Sequence, residues 1–129
     1  RNITAFPIGT EGEYYQTTNN VFLVGDAAGF AESLLGEGIY NAVISGKYAA
    51  KAIIDSQNGN ETASQKYNTF LDSFTEELKL YRKGSKILYG YPRLSYWMMK
   101  LGLGKKFMNG YSKGKTLTEI MGKTNTYLS

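Results

Sequence analysis

The sequence predicts an α/β chain in which one or two strands near the start give way to a mostly helical region. Three features predict it. The continuous apolar run Val21-Phe22-Leu23-Val24 is bounded by turn signals, the pattern of a short buried strand, parallel to its neighbours and covered on both faces. That run collapses into Gly25-Asp26, and a second glycine cluster, Gly36-Glu37-Gly38, stands ahead of a helical pattern. Beyond residue 60, apolar residues recur at helical period almost to the end.

Taken in order, the opening segment reads as irregular β structure. Ile3, Ala5 and Phe6 lead to Pro7, Gly9 and Gly12 mark turns, and Asn19-Asn20 punctuates before the apolar run. After the glycines, Ile39, Ala42, Val43, Gly46, Ala49, Ala50 and Ile53 share a helical spacing. The small Ala42, Gly46 and Ala49 would let a neighbour approach closely, and the helix should end by Asn58-Gly59. Thr62-Ala63-Ser64-Gln65 has the form of a capping box, and Tyr67, Phe70, Leu71, Phe74, Leu78 and Tyr81 continue from it as a long amphipathic helix. Pro92 suits the first turn of a third helix with Leu94, Trp97, Met98 and Leu101 on one face, stopped by Gly102 and Gly104. A short fourth helix around Phe107 and Tyr111 and a fifth opened by Thr116-Leu117-Thr118-Glu119 complete the reading.

The 129 residues, 42% hydrophobic, suffice for one compact core and are too few for two. No apolar run reaches the roughly 20 residues needed to cross a bilayer, and no signal-peptide pattern opens the chain. The expectation is a cytoplasmic protein, at most peripheral to a membrane. The chain begins at Arg1 without a Met, so processing, tag removal or truncation has to be considered. Cysteine and histidine are both absent. Disulfides, thiolate zinc sites and Cys-His or Ser-His nucleophilic pairs are thereby excluded, and no metal site is expected. Chemistry must come from carboxylates, Lys, Tyr, backbone groups or a cofactor. The sequons Asn2-Ile3-Thr4 and Asn60-Glu61-Thr62 read as chance occurrences.

The segment from Gly25 to Ile39 carries the information about function. A carboxylate at the end of a buried strand needs donors or water, and a ligand bearing hydroxyl groups would satisfy Asp26. Gly36 and Gly38 keep side chains away from the start of the helix, so backbone N–H groups and the positive end of its dipole face whatever lies there. The competing reading is a structural connection, with Asp26 as a turn or cap residue and the glycines as flexibility.

The strand, the GDAAG turn and the GEGI helix start in "VFLVGDAAGF…GEGIYNAVISGKYAA" together resemble the second FAD-binding motif of flavoproteins with the p-hydroxybenzoate-hydroxylase-like fold, most closely the geranylgeranyl reductase family. Close similarity covers about residues 21–50. The resemblance implies the C-terminal portion of an FAD-binding Rossmann-like fold, with residues 1–58 as the end of the FAD-binding domain and residues 59–129 as a helical C-terminal region. It also implies an FAD-dependent oxidoreductase that reduces C=C bonds of isoprenoid lipids and is inactive as this fragment alone. Asp26 matches the residue that binds a ribityl hydroxyl of FAD, and the backbone of Gly36, Glu37, Gly38 and Ile39 matches the groups that approach the pyrimidine edge of the flavin. Gly25 and Ala27 complete the cofactor-binding set, and the catalytic proton donor is unassigned. Two departures stand out. Ser33 replaces a proline common in the family, which loosens the loop, and the N-terminal GxGxxG and the substrate domain are absent. The partners implied are an isoprenoid lipid and the missing N-terminal part of the same enzyme. A monooxygenase or a quinone-linked dehydrogenase of the same fold is the alternative, as is a non-catalytic helical module that binds lipid or a partner.

From Lys79 onward eleven basic residues face Glu119 alone, interleaved with Tyr81, Tyr89, Tyr91, Tyr96, Trp97, Phe107 and Tyr111. Three readings compete: an amphipathic layer with its aromatics in the core, a membrane-surface or prenyl-lipid contact, and nucleic-acid binding. The third ranks last because no nucleic-acid motif accompanies the charge, and no nucleic-acid partner is expected. Trp97-Met98-Met99 reads as core or as the lining of a greasy channel.

Overall fold

The computed structural model describes residues 9–10, 21–57 and 59–122. A one-turn 3-10 helix, Gly25–Ala28, leads through a loop into α1 (Ile39–Ser56). After it come α2 (Ala63–Gly90), α3 (Pro92–Lys100), α4 (Leu103–Tyr111) and α5 (Leu117–Ile120).

The expected α/β architecture, and with it the Rossmann-like fold class, is not found: every regular element among the described residues is a helix. Val24 has the extended backbone of a strand, φ −136° and ψ 156°. Extended backbone becomes a strand only when a neighbour completes its ladder of hydrogen bonds, and no described segment does so. The Leu23 carbonyl accepts the Tyr67 hydroxyl instead, at 2.9 Å. Phe22, Leu23 and Val24 pack on the helical core, while Val21 is 61% exposed. One side of the run lies on the helices, and among the described residues no segment covers its other face. The β structure expected around Phe6-Pro7 lies outside the described residues.

α2 is the backbone of the core. Its N-terminus carries the capping box read from the sequence: the Thr62 side chain accepts from the Gln65 N–H at 3.2 Å, and Gln65 accepts from the Thr62 N–H at 2.9 Å. Tyr67, Phe70, Leu71, Phe74, Leu78 and Tyr81 are all buried. Phe70 stacks on Tyr48 of α1 at 4.0 Å between ring centroids, and Phe30 meets Phe74 edge-on at 5.1 Å. The edge-on contact is an arrangement that ring quadrupoles favour.

α1 turns a different face inward from the one its apolar stripe suggests. Asn41, Ser45, Ala49 and Ala52 are buried, whereas Ile39, Val43, Ala50 and Ile53 are exposed. Asn41 and Ser45 face inward because each satisfies a backbone group of the preceding loop, as described below. The helix ends at Ser56.

Pro92 opens α3 at its first turn. Gly102 adopts φ +86°, a left-handed conformation natural to glycine, and separates α3 from α4. Gly104 does not stop α3 but lies inside α4, which begins four residues before the expected Phe107. A Cβ on Gly104 would come 3.1 Å from the Met99 Cα, so the tight α3–α4 turn needs the missing side chain. α5 is held by the second capping box, Thr116 with Glu119, and by the Leu117 N–H donating to the Tyr81 hydroxyl at 3.1 Å.

Tyr67 gives the core a pH dependence. Burial pushes its phenol up to about 12, against about 10 for an unfolded tyrosine. The folded state thus keeps a proton that the unfolded state releases. This contribution is complete below pH about 10 and is lost toward about 12, at roughly 1.4 kcal/mol per pH unit. Denaturant unfolding across that window should show a shallower alkaline loss in Tyr67→Phe, and an unchanged slope would remove Tyr67 as its source.

Candidate functional site

The segment that joins the 3-10 turn to α1 is built around Glu32. This buried carboxylate accepts the Leu34 N–H on Oε2 at 2.7 Å, and the Leu35 and Glu37 N–H groups on Oε1 at 2.7 and 3.3 Å. The Glu32 N–H donates to the Glu37 carbonyl at 2.9 Å, and the Gly36 N–H donates to the Glu32 carbonyl at 3.1 Å. One side chain thereby closes a six-residue loop. The sequence reading passed over Glu32, whose signal is an acid between alanine and serine at the head of an otherwise apolar turn.

Contacts from both long helices clamp this loop. Asn41 Nδ2 donates to the Phe30 carbonyl at 2.7 Å, and the Tyr89 hydroxyl donates to the Leu34 carbonyl at 2.6 Å. Leu34 packs over Gly84 of α2, where an added Cβ would meet Leu34 Cδ1 at 3.6 Å. The Ser33 hydroxyl oxygen is buried and finds no hydrogen-bond partner among the described residues. A proline at that position would remove this unsatisfied group.

The 3-10 turn is pinned from behind. The Gly25 N–H donates to Ser45 Oγ at 3.0 Å, and Ser45 Oγ in turn donates to the Asn41 carbonyl at 2.7 Å. Gly25 has φ +55°, and a Cβ there would lie 2.8 Å from the Ala42 Cβ. Ala42 is thus one of the small residues that does admit a close neighbour, and the neighbour is the turn itself.

The seven residues expected at the cofactor fall into two neighbouring groups. Asp26 and Ala27 are exposed on the turn, so the carboxylate is solvated and not desolvated at a strand end. A Cβ on Gly38 would come 2.9 Å from Asp26 Oδ1, which sets the carboxylate directly against the first residue of the α1 N-terminus. Gly36 takes φ +75° with open space around it, and Ile39 is 80% exposed. The Tyr40 N–H is capped by Glu37 Oε1 at 2.9 Å. With the Gly36 and Glu37 N–H groups donating to Glu32, the N–H groups of Gly38 and Ile39 are left without a partner among the described residues. The exposed Asp26 carboxylate therefore stands as an acceptor beside half-buried Gly38 and exposed Ile39, whose N–H groups are donors at the start of α1. Such an arrangement suits a ligand that offers hydroxyl groups to the carboxylate and an electron-rich edge to the helix start.

A separate cavity of about 220 Å³ lies between α1, α2 and the turn before α5. Glu37 is the one expected residue that lines it; Glu32, Glu77, Tyr40, Tyr81 and Tyr111 are among the others. Burial raises the Tyr40, Tyr81 and Tyr111 phenols above the ordinary tyrosine range, and the nearby glutamates add to this. All three remain protonated at neutral pH.

Similarity to known proteins points to an oxidoreductase relation over part of the chain. The chloroplastic geranylgeranyl diphosphate reductase of Arabidopsis thaliana is 43% identical over 60 residues, which are 46% of this chain and 13% of that protein. An uncharacterized protein of Methanosarcina barkeri (strain Fusaro) is 35% identical over 118 residues, 90% of this chain and 30% of that protein. The chain thus spans less than a third of either relative. No family model and no solved structure matches it.

Proposed function

We propose that this chain is the C-terminal part of an FAD-dependent oxidoreductase that reduces C=C bonds of isoprenoid lipids. The observation that carries this reading is the placement of Asp26 Oδ1 against Gly38, which sets the exposed carboxylate beside the α1 N-terminus. The partial identity with a geranylgeranyl diphosphate reductase supports the reaction class. When bound, the flavin supplies hydride transfer, and the protein supplies position and electrostatics. Asp26 would accept hydrogen bonds from ribityl hydroxyl groups. The N–H groups of Gly38 and Ile39 and the α1 dipole would favour negative charge at the neighbouring ring edge. The Glu32 network holds the loop that leads into Gly38, and the Gly25–Ser45 bond holds the turn that carries Asp26. Gly25, Ala27, Gly36 and Glu37 shape the surface through their backbone.

In the full-length protein, Asp26→Ala should retain flavin about 10-fold more weakly, the effect expected for the loss of a charge-assisted hydrogen bond. Visible flavin absorbance after dialysis, measured beside the wild type, checks this. Equal flavin content in the two proteins, or none in the wild type, would sink the assignment.

A further inference from the structure

α3 turns Ser95 inward, where its buried hydroxyl donates to the Leu88 carbonyl at 2.8 Å. The opposite side of the helix is therefore its outer face. Trp97 stands there, 63% exposed, with Leu94 and Leu101 about one turn to either side, 51% and 62% exposed. Trp97-Met98-Met99 is thus not core. Beside this apolar stripe runs a second one of Arg93, Tyr96 and Lys100, in which the Lys100 ammonium sits 5.7 Å from the centre of the Tyr96 ring. Arg93 and Lys100 are both exposed, and so are Lys105 and Lys106 in the following helix. Between residues 79 and 122 there are ten basic residues and one acid, Glu119.

Whatever covers this face must be apolar and anionic at once. A second copy of the chain fails that test, because a two-fold contact through α3 would bring Arg93 and Lys100 against their own equivalents. We infer that α3 and the start of α4 form a docking surface for an anionic lipid bilayer. Leu94, Trp97 and Leu101 enter the boundary between headgroups and acyl chains, while Arg93, Lys100, Lys105 and Lys106 reach lipid phosphates. Tyr96 lies at the level of the headgroups, where an amphipathic ring is favoured. Among the described residues no helix is long and apolar enough to cross the membrane. The contact is therefore one of lying on the surface. This inference goes beyond the flavin reading and does not depend on it, since no cofactor takes part.

Trp97 is the single tryptophan of the chain, so its fluorescence reports this face alone. The 129-residue chain is titrated with vesicles of phosphatidylcholine containing phosphatidylglycerol, and with vesicles of phosphatidylcholine only. The expected result is a blue shift with the anionic vesicles, quenched by brominated acyl chains and reversed by salt. The double variant Arg93→Ser/Lys100→Ser, its helicity checked by circular dichroism, should bind the anionic vesicles roughly 10- to 30-fold more weakly. Three results would overturn the inference: no shift with anionic vesicles, an equal shift with neutral ones, or a shift that follows protein concentration without lipid and so reports self-association or another protein contact.

Discussion

Replacing Glu32 with alanine should destabilise the chain by about 4 kcal/mol, because three buried or half-buried backbone N–H groups lose their acceptor together and each orphaned donor costs on the order of 1–3 kcal/mol before the loop relaxes. The loss is a large fraction of the stability of a typical domain. Glu32→Gln keeps one acceptor oxygen but turns an amide NH2 toward the donors, so it should fall between, at about 2 kcal/mol. Urea unfolding gives the magnitude, and amide exchange at Leu34, Leu35 and Glu37 gives the location. A Glu32→Ala chain as stable as the wild type, with those amides still protected, would show that the loop closes without its carboxylate.

Gly25→Ala should be the next most damaging single change, at about 2–5 kcal/mol. It adds a left-handed backbone penalty of roughly 1–2 kcal/mol to an overpacking cost of roughly 1–3 kcal/mol. The added methyl would sit 2.8 Å from the Ala42 Cβ and 3.2 Å from its Cα, and only movement of backbone can relieve the second contact. Gly36→Ala is the internal control. Its φ of +75° carries the same backbone penalty, but nothing lies within 4 Å of the new methyl, so it should cost only about 1 kcal/mol. The difference between the melting temperatures of the two variants measures the close approach of the turn to α1. Equal losses would mean that the approach contributes nothing.

Both predictions concern the short connection that the candidate site is made from. The sequence placed the two glycine clusters and Asp26 there, but it did not reveal what orders them. Glu32, Ser45 and Asn41 are ordinary polar residues in the chain. Ser45 and Asn41 acquire their roles because the distant backbone groups of Gly25 and Phe30 come within hydrogen-bond reach, and Glu32 acquires its own because the loop folds its amides back onto the carboxylate. The outward turn of the Ile39, Val43 and Ala50 face follows from the same bonds. Leaving those buried backbone groups unsatisfied would cost more than exposing a few aliphatic side chains.

The sequence by itself determined where most of the helices begin and which face of α2 is buried, because a capping box, a proline in the first turn and an apolar repeat at helical period are local signals that no neighbour has to complete. Tertiary structure alone decided the fate of the apolar run at 21–24. A strand is defined by its pairing partners, and here the partner of the Leu23 carbonyl is a tyrosine hydroxyl on α2. It also decided the outer face of α3, where the inward turn of Ser95 leaves Trp97 at the surface beside Arg93 and Lys100. Local pattern dictates local geometry, whereas burial is a property of what packs against what.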